Sequence, residues 1–233
     1  MVQIQVAEIT VDITFKEIKN IHLSVHPPDG NVTISAPKKY DQDALRMYVI
    51  SRLDWLRERI LKFKNQERET HRLFINNESH FFMGERYKLF LQESKSKYFI
   101  ERKTDKLIMH VNLNSSIEKK AEVMNAWYRS ELKELTRNLI KKWEPILGVK
   151  VKEFGVKKMK TKWGTCNPEA GRIWLNLELA KKPVHCIEYI VVHEMVHLLE
   201  KSHNKRFIAL LDNYIPSWRM LKDELNRLPL NEY

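Results

Sequence analysis

The residues best placed to do chemistry are two histidines four apart, His193 and His197, with Glu194 beside the first and His203 six residues beyond the second. On a helix, residues four apart share a face, so both imidazoles can meet one cation. Glu194 is turned by roughly 100° from His193. That sets a carboxylate beside the cation, where a general base takes a proton from a metal-bound water. The neighbours Ile190-Val191-Val192 and Leu198-Leu199 are apolar, and two imidazoles and a carboxylate in such a helix need a chemical reason.

A catalytic zinc centre takes three protein ligands and leaves one position for water. Glu200 lies on the same stripe as the two histidines, but the seven residues from His193 climb about 10 Å of helix, against zinc–ligand bonds of about 2 Å. His203 has to leave the helix, and Lys201-Ser202-His203-Asn204 permits a turn that brings it back. The spacing favours His203 as third ligand, with Glu200 and Asp212 as alternatives and Zn2+ as the ion. Cys166 and Cys186 are soft donors, but three histidines suffice, and both cysteines are read as buried thiols.

The elements that must hold this set follow from periodicity and turn residues. Pro183 opens a helix expected over Val184–Glu200. Upstream, Lys160–Cys166 and Ile173–Leu177 flank Asn167-Pro168-Glu169-Ala170-Gly171, a hairpin signal directly before that helix. Downstream come helices over Asn204–Asn213 and Pro216–Leu228. A stripe from Ile117 through Met124, Tyr128, Leu132, Leu139 and Trp143 to Leu147 predicts a long helix. The Ser115-to-Glu118 capping-box spacing opens it, and Pro145 and Gly148 close it.

Before that helix lie strand-like runs at Val2–Val11, Ile21–Val25, Val32–Ala36, Phe81–Phe82, Tyr87–Leu91, Tyr98–Glu101 and Leu107–Val111. A turn is expected at Pro27–Gly30, one helix from Asp41 to Phe63, and a polar linker over Lys64–Arg72. His22 and His26 fall on strands and are read as surface residues. No internal repeat is visible. The expected class is α+β, divided into a β-rich N-terminal module with one inserted helix (1–113) and a catalytic domain (114–233).

A chain of 233 residues can bury a sizeable core, and 43% hydrophobic with 30% charged residues describe a globular protein. No run approaches the roughly 18 apolar residues of a membrane span. Met1–Lys16 alternates and carries acids, unlike a signal peptide, and two cysteines make no disulfide framework, so the cytosol is the expected compartment. The net charge of +11 permits nucleic-acid or nucleotide binding, but no nucleic-acid motif accompanies it. Eight lysines between Lys141 and Lys162, against Glu144 and Glu153, form either a solvated face or a basic rim beside the cleft.

Together, Lys162-Trp163-Gly164-Thr165-Cys166, Ile173-Trp174-Leu175-Asn176, the run Tyr189–His197, His203 and Phe207 resemble the YgjP-like metal-dependent hydrolases, relatives of the SprT-like and other small zincin-type metallopeptidases. The likeness extends to Gly84–Leu91 and Trp127-Tyr128-Arg129, while Thr165 stands where that family usually has serine. The resemblance implies a zincin-like core with the two-histidine helix packed beneath a small sheet, His193, His197 and His203 as zinc ligands and Glu194 as base. It also implies that the Trp163-Gly164 segment lies near the cleft, which makes Lys162, Trp163, Gly164 and Asn176 candidate substrate contacts. The expected function is zinc-dependent hydrolysis, foremost of a peptide or protein. The alternatives are nucleotide pyrophosphate cleavage at the same site, and a nucleic-acid-associated module whose zinc is structural.

Overall fold

A computed structural model describes residues 2–26, 29–64 and 72–227. Of the turn expected at Pro27–Gly30, Asp29 and Gly30 are described and form a turn, with Gly30 N–H donating to the His26 carbonyl at 3.0 Å; Pro27, Pro28, most of the linker expected over Lys64–Arg72, and Leu228 lie outside these residues. The chain forms two compact units, one ending at residue 68 and the other beginning at residue 69.

The first unit is one sheet and two helices. Its strands are β1 (Val2–Val6), β2 (Ile9–Lys16), β3 (His22–His26) and β4 (Asn31–Pro37). The single strand expected over Val2–Val11 is therefore two, reversed at Ala7, which takes φ 50°. The sheet order is β1-β2-β4-β3, with β2 and β4 parallel and the outer pairs antiparallel. Alternate residues Ile9, Val11, Ile13, Val32, Ile34 and Ala36 face inward and meet Leu45, Val49 and Leu56, as the two-residue period of a half-buried strand requires. Asp41 caps α1 (Gln42–Ile50) by accepting from the Ala44 N–H at 2.7 Å. The helix expected to continue to Phe63 breaks at Ser51, whose hydroxyl donates to the Tyr48 carbonyl, and restarts as α2 (Leu53–Lys64).

The second unit opens with β5 (Ser79–Phe82), β6 (Glu85–Glu93), β7 (Phe99–Arg102) and β8 (Lys106–Val111), ordered β5-β6-β8-β7. Against it lies α3 (Ile117–Leu147), capped by Ser116 and ended by Gly148 at φ 65°. The cap is Ser116, one residue after the expected Ser115, and Pro145 sits inside the last turn. A small sheet follows, β9 (Glu153–Lys157), β10 (Gly164–Asn167) and β11 (Arg172–Asn176), in the order β10-β11-β9. After a 3-10 turn at Leu177–Lys181 come α4 (Val184–Val196), α5 (Lys205–Tyr214) and α6 (Trp218–Arg227).

One core runs through this unit, from Phe82, Leu89 and Met109 on the strands through Leu132 on α3 to Val191 on α4 and Leu225 on α6. The division expected after residue 113 cuts through that core, because α3 buries its stripe on strands that precede it. The architecture is α+β, with the two-histidine helix α4 packed against β10 and β11. Among the described residues no helix is long and apolar enough to cross a membrane.

Candidate metal centre

Nine of the thirteen residues of α4 are buried, and its N-terminal position, Pro183, makes no side-chain cap. Burial, not local propensity, holds this helix, since Ile190, Val191 and Val192 are β-branched residues that a helix does not favour. Its foot is braced from two directions. The N–H groups of Met83 and Gly84, at the β5–β6 turn, donate to the carbonyls of Ala180 and Lys181. Glu188 accepts from Trp143 Nε1 and Lys142 Nζ of α3, both at 2.7 Å.

The helix ends at Val196, a turn earlier than expected, and His197 is its C-cap. Leu198 and Leu199 close back on Met195 and Val196 with three-residue bonds, and the Glu200 carboxylate accepts from the Ser202 N–H and hydroxyl. Asn204 then caps α5 through the Phe207 N–H at 3.0 Å. This tight turn delivers His203.

Three imidazoles converge. His193 Nε2 and His203 Nε2 lie 3.1 Å apart, and one ligand atom from each of His193, His197 and His203 falls within 4.8 Å of the others. Tetrahedral zinc with Zn–N bonds of 2.0–2.1 Å separates its nitrogens by about 3.3 Å, so the donors fit such an ion in kind and spacing. His197 Nδ1–H donates to the Glu200 carbonyl at 3.1 Å, which fixes its tautomer and leaves Nε2 as the ligand atom. His193 Nδ1 is buried with no hydrogen-bond partner, so no protein group orients that ring in the same way. Phe207 floors all three rings at 4.6–5.0 Å. Burial pushes His193 down to about 3 and lowers His197 as well, which keeps both neutral, the form that ligates.

The two alternative ligands lie elsewhere: Glu200 serves the turn, and Asp212 is engaged by Trp218 Nε1 and Arg219. A second trio, His185, Cys186 and Glu224, also brings donor atoms within 4.8 Å. Burial pushes the Cys186 thiol up to about 12, against the thiolate a metal requires.

Glu194 is buried at 5% exposure, and burial pushes its carboxyl up to about 8, opposed by the Lys162 charge. Its neighbour across the cleft is Gly164, where a Cβ would stand 2.6 Å from Glu194 Oε1. Glycine at the start of β10 is what lets the carboxylate lie against that strand. A cavity of about 700 Å³ opens here, bounded by residues 162–169, by α4, and by Lys222, Leu225 and Asn226 of α6.

Lys162, Trp163 and Gly164 line this cavity. Asn176 does not. It is 5% exposed and bonds Met159 N–H, the carbonyls of Met159 and Lys162, and Glu178 N–H, so it shapes the wall from behind. Of the eight lysines from Lys141 to Lys162, only Lys162 reaches the cavity, while Lys142 and Lys150 pair with Glu188 and Glu144. The sequence reading gave no cleft role to Tyr189, Lys201, Lys222, Leu225 or Asn226, all of which line the cavity. Tyr189 alone left a signal, four residues before His193 on the same face. Cys166 lines the same wall as a thiol, pushed up to about 12 by burial and then by Glu194.

No curated protein matches the chain. Two solved structures, the metallopeptidase zymogens of Pyrococcus abyssi abylysin and Methanocaldococcus jannaschii jannalysin, are each 19% identical to it. They cover 39% and 40% of this chain and 90% and 92% of their own, at TM-scores of 0.37 and 0.33. The model of the YgjP-like metallopeptidase domain matches residues 19–228, and the chain belongs to that family.

Proposed function

We propose that this protein is a zinc-dependent peptidase whose ion is held by His193, His197 and His203 and whose general base is Glu194. The observation that carries the reading is the convergence of three imidazoles, with His193 Nε2 and His203 Nε2 at 3.1 Å, beside a buried carboxylate. Zinc held there would supply an acidified water and a Lewis acid for the scissile carbonyl. Three protein donors are the number a catalytic zinc site would use, against four in a structural one.

Glu194 takes the proton of the attacking water and returns it to the leaving amine. Its carboxylate form is favoured once a dication occupies the imidazole trio. Among the described residues β10 is an edge strand paired with β11, and an extended substrate adds to its other side by backbone hydrogen bonds.

The test is turnover of a casein-like protein with metal analysis. Glu194→Gln retains the metal and loses about 10²–10⁴-fold in kcat, while His203→Ala loses metal. Full activity in the first variant, or full metal content in the second, would sink the reading. Pyrophosphate release from nucleoside triphosphates without proteolysis would replace it with nucleotide hydrolysis.

A further inference from the structure

The charged side chains around the cavity are unevenly matched. Five line it: Lys162, Lys201 and Lys222, against Glu169 and Glu194. Lys201 is tied to Glu169 at 2.9 Å, and Glu194 is the buried base. That leaves Lys162 and Lys222, exposed at the rim, with no ion-pair partner among the described residues. They stand on different walls. Lys162 precedes β10, and its charge is felt by Glu194. Lys222 projects from α6 beside the Trp218 ring, and its charge is felt by His193. A peptide lying along β10 past the imidazole trio therefore meets an ammonium group on either side, and a dication in the trio deepens the same field.

We infer that Lys162 and Lys222 select peptides that present a carboxylate near the scissile bond. The carboxylate comes either from an Asp or Glu side chain or from the substrate's own C-terminus, and the chemistry of recognition is the same in both. Each contact is an exposed ion pair, so the discrimination is modest per lysine and falls as salt rises.

The turnover arm rests on the peptidase reading and the binding arm does not. In the first, octapeptides cleaved by the wild-type protein are compared with counterparts in which Asp and Glu become Asn and Gln, and with C-terminally amidated versions. The acidic member is expected to have a severalfold lower KM. Lys162→Gln and Lys222→Gln each reduce that preference about threefold, read as the ratio of KM values for the acidic and neutral peptides within each variant. Loss of the preference on amidation assigns it to the C-terminus, and loss on Asn/Gln replacement assigns it to side chains.

In the binding arm, the Glu194→Gln protein is titrated with fluorescent acidic and neutral octapeptides. Tighter binding of the acidic probe, weakened by Lys162→Gln with Lys222→Gln and by added salt, supports the inference even if no peptide is cleaved. Equal binding of both probes, or a preference that survives loss of both lysines, overturns it while leaving the peptidase reading intact.

Discussion

In the first unit the strands run β1-β2-β4-β3 and in the second β5-β6-β8-β7, with the same succession of antiparallel, parallel and antiparallel pairs. Helices follow each sheet in the chain. At corresponding tips, Ala7 takes φ 50° and Met83 φ 49°. What each tip touches differs. Beside Ala7, Glu8 accepts a two-pronged bond from Arg57 of α2 at 2.7 and 3.1 Å, in the open. At the other tip, Met83 and Gly84 bond the segment that leads into α4. One topology serves a self-contained sheet with its own core in the first case and a brace under the two-histidine helix in the second. Fold and function thus separate at the level of a single turn.

The largest expected effect breaks that brace. Gly84 has φ +88°, and a Cβ there would lie 2.9 Å from Pro183 Cα, which is backbone and cannot rotate away. Gly84→Ala is expected to cost about 2–4 kcal/mol and to lower metal content and turnover more than tenfold. At the matching tip Ala7→Gly, which relieves a positive φ, leaves turnover unchanged. Urea unfolding, zinc analysis and a protease assay on both variants check the contrast. Normal metal content in Gly84→Ala would deny the turn its bracing role.

The next effect separates stability from activity. Leu89 on β6 and Ile13 on β2 are both essentially fully buried, and truncating either to alanine costs about 2–5 kcal/mol. Only Leu89→Ala is expected to reduce turnover at a temperature where both variants remain folded, because its core is the one that holds α4. Equal activity losses would mean that the two sheets matter alike to the site.

The repeat of topology was not legible in the sequence, because strand order is set by which apolar faces meet, and many different residues satisfy the same alternation. Local features were legible: the α3 stripe, the Asp41 cap, the Asn167–Gly171 hairpin, and the spacing of His193, His197 and His203. The end of α4 was not. Residues 198–201 contain neither Gly nor Pro, and three-residue bonds with the Glu200 carboxylate stop the helix instead. Gly164 entered as a motif residue, yet its reason is a contact with Glu194, thirty residues away in the chain and invisible to periodicity. Asn176 was read forward, toward substrate, when its four bonds face the loop behind the wall. The division at residue 113 followed a change from strands to helix, and the core ignores that change.

Acid should also tell the two sheets apart. His80 on β5 is buried at 3% exposure, and burial lowers its pKa below 6.5 despite the Glu78 carboxylate at 2.8 Å. The unfolded chain therefore binds this proton first. The second unit's stability is full above pH 6.5 and declines as pH falls from there toward the depressed folded value. In metal-free protein His193 and His197 act in the same direction. In the first unit the histidines on the strands, His22 and His26, are exposed, unlike His80. Urea titrations from pH 7.5 to 5, followed by amide signals from each sheet, should show the decline in β5–β8 and a smaller one in β1–β4. His80→Gln should flatten the slope.

The smallest effect tests the first tip. The Glu8–Arg57 pair has good two-pronged geometry, but its side chains are 58% and 49% exposed. Water screens such a pair, and holding two long side chains in place costs entropy, so an exposed pair contributes little. Arg57 bonds Glu8 and lies near Asp54, both of the first unit. Arg57→Ala is therefore expected to leave the urea midpoint almost unchanged, to shift it less still in high salt, and to leave zinc content and turnover unchanged. A loss comparable to that of Gly84→Ala would show that the two tips do the same job after all. The division of labour would then have to be sought in the helices that each sheet supports.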